Sequence, residues 1–411
     1  MKITERTVES ARGLELYLTA IPEVGREPAA EAAAIYSALA DRARRRGARL
    51  LRDRAFVPLG QETIYRKARI AGYGPDSVFI PSTWLSAGNG GVDAAVCGAL
   101  GGVQAHAVLG PQKFVPLTDG GRTLGWSFEQ DGFRWAMTGG LCAPQAGDVS
   151  AQAKAVFELG ESLCRQAGAG LADVARTWFF LDRILDWYGD FNRVRNALFI
   201  DRALMRRGQS PESVQVPAST GIGVQPIEAV NARVALEMLA VRAIAPASSD
   251  AAPCIRRLAA AGKQRCAYEY GSAFARAAEL PSPAGRTVSV SGTAAIDTEG
   301  RTCHVDQIEP QIRMTIENTV AVFRDLGCQA GDIVQAMAYC KTPAVAEAFI
   351  ASWRDELRWP WVIVVGDVCR DDLLFEAEAL ACQPVPARVE PKVPVFRSKG
   401  EPANESPSYT A

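Results

Sequence analysis

The segment FEAEAL, residues 375–380, sets two glutamates two positions apart in a run that is otherwise apolar. Side chains two apart share a face of a β-strand, so Leu374, Glu376 and Glu378 are expected on one face and Phe375, Ala377 and Ala379 on the other. The apolar set suits a face covered by helices. A carboxylate on the remaining face is costly to bury unless it is paired or opens on a wet cleft. Two chemistries are open to this pair: salt bridges to arginines at an interface, or general acid catalysis by a carboxyl that burial keeps protonated.

Other residue types narrow the choice. His106 and His304 are the sole histidines, so a His-rich metal site cannot be built, and a Ser-His-Asp triad would need one of them with no Ser or Cys in a nucleophile-elbow context. Acid–base work therefore falls to carboxylates, Tyr, Lys or Cys. The PASTGIG segment around Thr220 offers a hydroxyl and backbone N–H groups able to cradle a carboxylate. Tyr270 and Tyr339 either orient a substrate through their hydroxyls or pack. GAGLADV and GALGGV lack the strand–helix context and spacing of phosphate-binding loops. No metal and no cofactor is expected.

The 411-residue chain is 48% hydrophobic and 22% charged with a net charge of −1, which gives no electrostatic ground for a nucleic-acid or membrane partner. Its ten cysteines have no C-x-x-C spacing and read as reduced thiols. The polar start MKITERTVES has no apolar segment of a leader, so a cytoplasmic location is expected. The densest basic run, DRARRRGARLLRDR at 41–54, reads as the solvated side of an amphipathic helix, since Asp41 and Asp53 interleave it.

These residues must be positioned by larger elements, and the chain repeats one pattern at a spacing of about 120 residues. The third copy runs from RTVSVSGTAAID through a helix with apolar Ile312, Ile316, Val320 and Phe323, then IVQAMAYCKT, AVAEAFIASWRDEL, WVIVVGDV and LLFEAEALAC. The middle copy follows with FRWAMTGGLCA, QAKAVFELGESLCRQAG, DVARTWFFLD, YGDFNRVRNALFI, VPASTGIGVQ and NARVALEMLAVRA. The first shows LELYLTAI, a helix from residue 29, SVFIPSTWL and GVDAAVCGAL. Each reads as β-α-β-α-β-β, giving an α+β chain of domains at 1–118, 119–247 and 263–386 and a Pro-rich tail at 387–411. Residues 111–121 and 246–250 read as linkers. Helices on one sheet face leave the other face to be buried between copies, so the three domains are expected in a pseudo-threefold arrangement.

The segments SGTAAID, ENTVAVFRDLG, VQAMAYCKT and DVCRDDLLFEAEAL resemble the Rid (YjgF) proteins, which usually form trimers with clefts between subunits. The resemblance covers residues 14–383. Within it DVARTW, VPASTGIG, YEYGSAFARA and DVCRDDLLFEAEAL look like the chorismatase branch, which splits chorismate into pyruvate and a hydroxybenzoate or dihydroxycyclohexadiene acid. The resemblance implies a monomeric pseudo-trimer, free to dimerise further, that acts on a small carboxylic acid in secondary metabolism. It implies Glu376 as the acid that protonates the enolpyruvyl methylene, Cys369 as the residue matching the makers of 3-hydroxybenzoate, and Arg176, Arg195 and Arg276 as forked donors to substrate carboxylates.

Three departures accompany the resemblance. Phe179-Phe180 stand where chorismatases commonly have Asn-Tyr, Cys340-Lys341-Thr342 replace a basic pair, and WPWVIVV lacks the arginine with which simple Rid deaminases grip their substrate. Two readings stay beside the chorismatase-like one: imine or enamine hydrolysis in a cleft without Glu376, and a non-catalytic module that binds a small carboxylate.

Overall fold

Apolar and β-branched runs broken by turns fold into three mixed sheets, each covered by helices on one face. The structure, a computed structural model, describes residues 1–23, 25–88, 100–111, 113–206, 208–210, 213–244, 254–261 and 263–385. In the first sheet β1 (Lys2–Ser10), β2 (Gly13–Ile21), β3 (Arg49–Val57), β4 (Ser82–Ser86) and β5 (Gly102–Leu109) lie in the order β1-β2-β5-β3-β4. It is backed by α1 (Pro28–Arg45) and α2 (Glu62–Tyr73). Pro28 opens α1, and the Glu27 carboxylate accepts the Ala30 amide at its cap.

The second sheet has the order β10-β9-β11-β8-β7-β6, from β6 (Phe114–Asp119), β7 (Arg122–Gln130), β8 (Phe133–Thr138), β9 (Val174–Leu181), β10 (Ala218–Ile222) and β11 (Val234–Ala243). Its helices are α3 (Val149–Gln166) and α4 (Ile184–Asp201). The third sheet is β12-β13-β14-β17-β15-β16, from β12 (Arg256–Leu258), β13 (Ala277–Pro281), β14 (Gly285–Ala294), β15 (Ile333–Cys340), β16 (Trp361–Val365) and β17 (Phe375–Pro384). It carries α5 (Ile308–Asp325), α6 (Pro343–Ser352) and the short α7 (Arg354–Leu357). No described helix is long and apolar enough to cross a membrane.

All three sheets repeat one register. A bulge interrupts the pairing between Leu50 and Arg52, between Leu239 and Ala240, and between Ile333 and Gln335. Counting from the bulge makes Arg52, Arg176 and Gln335 equivalent, as are Arg54, Trp178 and Met337. On the facing strands the equivalent sets are Gln104, Glu237 and Glu378, and Gly102, Ala235 and Glu376. The sheet faces turned away from the helices share one cluster in which Phe56, Trp135, Trp178, Phe180, Met337 and Tyr339 come from all three sheets. Backbone bridges Leu85–Pro226, Gly101–Ile363 and Gly223–Asp367 tie each sheet to the other two.

Several expectations are corrected. Each sheet has strands ahead of the expected first one: β1, then β6 and β7, then β12 and β13. Residues 111–121 are thus no plain linker, because Phe114–Asp119 pairs with β7. Leu374 precedes β17 and packs on the helix side, and Val320 is 41% exposed although it shares α5 with buried Ile316. The basic run is split: α1 ends at Arg45, Gly47 takes φ +62°, and β3 carries Arg52 and Arg54 into the interior. GVDAAVCGAL apart from Leu100, the 246–250 linker and the tail lie outside the described residues.

Candidate active site

Strict alternation along β17 sends Phe375, Ala377 and Ala379 under the helices and turns Glu376 and Glu378 inward, both buried. Their surroundings then diverge. Glu376 lies over Gly292 of β14, so close that a Cβ there would stand 2.0 Å from its Oε1. Burial and the negative charge of Glu378 raise the Glu376 carboxyl to about 8, against the pull of Arg176 and Arg276. It is therefore a neutral acid at pH 7.

Glu378, by contrast, is fully engaged. Arg176 Nη2 donates to Oε2 at 2.7 Å, Arg54 Nη1 to Oε1 at 3.3 Å and the Tyr339 hydroxyl to Oε1 at 3.2 Å. The Thr220 hydroxyl also donates to it, while accepting the Gly292 amide at 3.0 Å. Thr220 thereby connects the backbone under Glu376 to the carboxylate two residues along. Arg54 also grips Glu237 through Nε at 2.8 Å and Nη2 at 2.6 Å, and Arg52 adds a further contact. Burial alone would raise the Glu237 carboxyl, but Arg54 and Arg52 outweigh it and hold it down at about 2.

The cleft that Glu376 enters lies between β10 and α4 on one side and β14 and β17 on the other, and holds about 530 Å³ including its open mouth. Arg195 and Arg276 line it, and their guanidinium carbons lie 5.7 and 5.2 Å from the centre of the Phe274 ring. Arg276 Nε donates to the Arg265 carbonyl at 3.0 Å, and Arg195 Nη2 to Asn192 Oδ1 at 2.6 Å. Arg370, whose neighbours Asp371 and Asp372 give it the look of a surface pair in the sequence, lines the same cleft and donates to the Gly300 carbonyl at 3.0 Å. Three cations thus face one neutral acid. Cys369 sits on the wall with its thiol raised to about 12, first by burial and then by Glu376, so it is present as a thiol.

The structure therefore gathers Glu376, Cys369, Arg195 and Arg276 in one cleft. Arg176, Thr220 and Tyr339 assemble instead around Glu378. Tyr270 ends a short turn, Ala267–Tyr270, and its side chain lies outside the described residues. Gly292, Phe274, Arg370, Tyr188 and Ser272 were not identified as site residues from the sequence. Gly292 carried a signal as the one residue without a side chain in SVSGTAA, while Ser272 and Phe274 lie inside YEYGSAFARA and Arg370 inside DVCRDDLLFEAEAL.

The other two interdomain regions differ. Between the first and second sheets Thr83 repeats Thr220, since it accepts the Gly140 amide at 2.9 Å and hydrogen-bonds Glu237, but Ala235 stands where Glu376 would be. Between the third and first, Val362 and Gly102 replace the threonine and the acid.

No protein-family model and no curated protein matches the sequence. A crystal structure of a chorismatase superposes with a TM-score of 0.53 at 18% identity, covering 93% of this chain and 98% of the other. The chain has the chorismatase fold. The YjgF gene product of E. coli aligns with 26% of this chain and 86% of its own at 22% identity and a TM-score of 0.22. The protein YJGH covers 32% of this chain and 98% of its own at 20% identity and a TM-score of 0.27. The chorismatase fold agrees with the chorismatase-like resemblance that the motifs suggested.

Proposed function

We propose that the protein is a chorismatase-like enzyme that cleaves chorismate, or a related cyclic enol ether acid, in the cleft containing Glu376. The supporting observation is a buried carboxyl, protonated near neutral pH, facing a cleft lined by Arg195, Arg276 and Arg370. An enol ether with carboxylates at both ends needs these two things. In the reaction Glu376 delivers its proton to the terminal methylene, leaving a cation at the ether carbon. Water adds there and releases a proton, and the hemiketal then collapses to pyruvate and the ring alcohol. Loss of water from the ring gives the hydroxybenzoate instead, and Cys369, against the ring, would influence that partition. The ionised Glu376 regains its proton from solvent.

Purified protein incubated with chorismate should release pyruvate, measured through a coupled lactate dehydrogenase assay. Absence of pyruvate overturns the assignment and leaves imine hydrolysis or carboxylate binding in its place. Replacing Arg195 or Arg276 by Met should raise KM by the equivalent of about 1.5–3 kcal/mol, the worth of a charge-assisted hydrogen bond. An unchanged KM in both variants removes them from the binding surface. Cys369→Ala should keep turnover but alter the ratio of hydroxybenzoate to dihydroxy acid, read by chromatography of the products.

A further inference from the structure

Where the three sheets meet, buried positive charge exceeds buried negative charge. Arg52, Arg54 and Arg176 converge on two carboxylates, Glu237 and Glu378, and all five side chains are at most 12% exposed. The register explains the imbalance. Glu237 and Glu378 occupy two of three equivalent positions, and the third is Gln104, whose amide donates to the Ala336 carbonyl at 3.1 Å. Glu376 faces the neighbouring cleft.

A small cavity lies at this point, lined by Arg52, Arg54, Arg176, Gln104, Gln335 and Glu378 among others. It holds about 300 Å³ including its open side, against about 530 Å³ for the cleft of Glu376. Arg176 is 1% exposed, and its Nε and Nη1 have no hydrogen-bond partner among the described residues. Unpaired donors on a buried guanidinium that lines a cavity, beside one carboxylate too few, are the setting in which an anion replaces lost hydration.

We infer that one small monovalent inorganic anion, chloride in ordinary buffers, binds at this centre between Arg52, Arg54 and Arg176. It supplies the charge that Gln104 does not. The site is distinct from the substrate cleft and stabilises the meeting of the three domains rather than the chemistry.

Two measurements on the full chain test this. At constant ionic strength the wild-type melting temperature should be higher in sodium chloride than in sodium gluconate, whose bulky, strongly hydrated anion suits buried guanidiniums less well, by about 1–3 °C. Gln104→Glu places a carboxylate at the third equivalent position and should abolish the difference, melting in gluconate at least as high as wild type does in chloride. Equal melting of wild type in both salts overturns the inference, and so does a difference that persists in Gln104→Glu, which would mark surface binding. If that variant does not fold, crystals of wild-type protein grown in bromide decide the matter. An anomalous peak within hydrogen-bond distance of Arg176 supports the site, and its absence refutes it.

Discussion

Gly292 and Glu376 compete for one space, and the chemistry proposed for the cleft depends on the acid having it. Gly292→Ala should displace the carboxyl, because the added Cβ would lie 2.0 Å from Oε1, and should lower kcat while leaving the fold melting near wild type. Glu376→Gln keeps the shape but has no proton to give, so kcat on chorismate should fall by about 10²–10⁴-fold. A rate equal to wild type would remove Glu376 from the mechanism. The raised carboxyl also has a signature in stability. Its ordinary value is 4.5 and its folded value about 8, so across that window the folded state holds a proton that the unfolded chain has released. Stability therefore falls as pH rises from 4.5 to 8, and Glu376→Gln should remove that fall. The variant should melt above wild type at pH 8, with the gap closing toward pH 5. If Glu376 is the proton donor proposed above, kcat/KM on chorismate should drop above about pH 8, as a pH–rate profile would show.

At the scale of elements, β17 illustrates what alternation reveals and what it hides. Two glutamates on one face of an apolar strand are legible in FEAEAL, and so is the need for one of them to be paired. The partners were not legible, because Arg52 and Arg54 sit in a basic run whose charges continue those of α1. Only the turn at Gly47 separates helix from strand, and with it solvent-facing arginines from buried ones. Arg370 was missed for a related reason, since its neighbours Asp371 and Asp372 suggest a surface pair while its side chain bonds a carbonyl seventy residues away. Glu378→Gln checks the division of labour between the two glutamates. It leaves Arg176 and Arg54 buried with one carboxylate fewer, and breaking a buried pair in this way costs about 3–5 kcal/mol. The loss should appear as a lower midpoint in urea, in contrast to Glu376→Gln, whose loss is in turnover.

At the scale of the molecule, the repeat that was visible in the sequence sets three equivalent frames, and the substitutions between them decide which cleft carries the acid. Ala235 and Gly102 stand in the other two frames, so of the three equivalent positions only that of Glu376 carries a carboxyl. This was hidden because equivalence follows from the bulge registers, which strand patterns do not display. The same frames argue that the domains do not unfold independently. Arg54 belongs to the first sheet yet binds Glu237 of the second and Glu378 of the third, while Arg176 of the second also binds Glu378. Opening any one domain strips a charged partner from the buried groups of the others, which is costlier than the loss of apolar contact alone. Calorimetry should accordingly show one cooperative transition for the full chain, with calorimetric and van't Hoff enthalpies in agreement. Arg54→Met should lower that transition as a whole. Two or more resolved transitions in the wild type would mean that the charged centre does not couple the three domains.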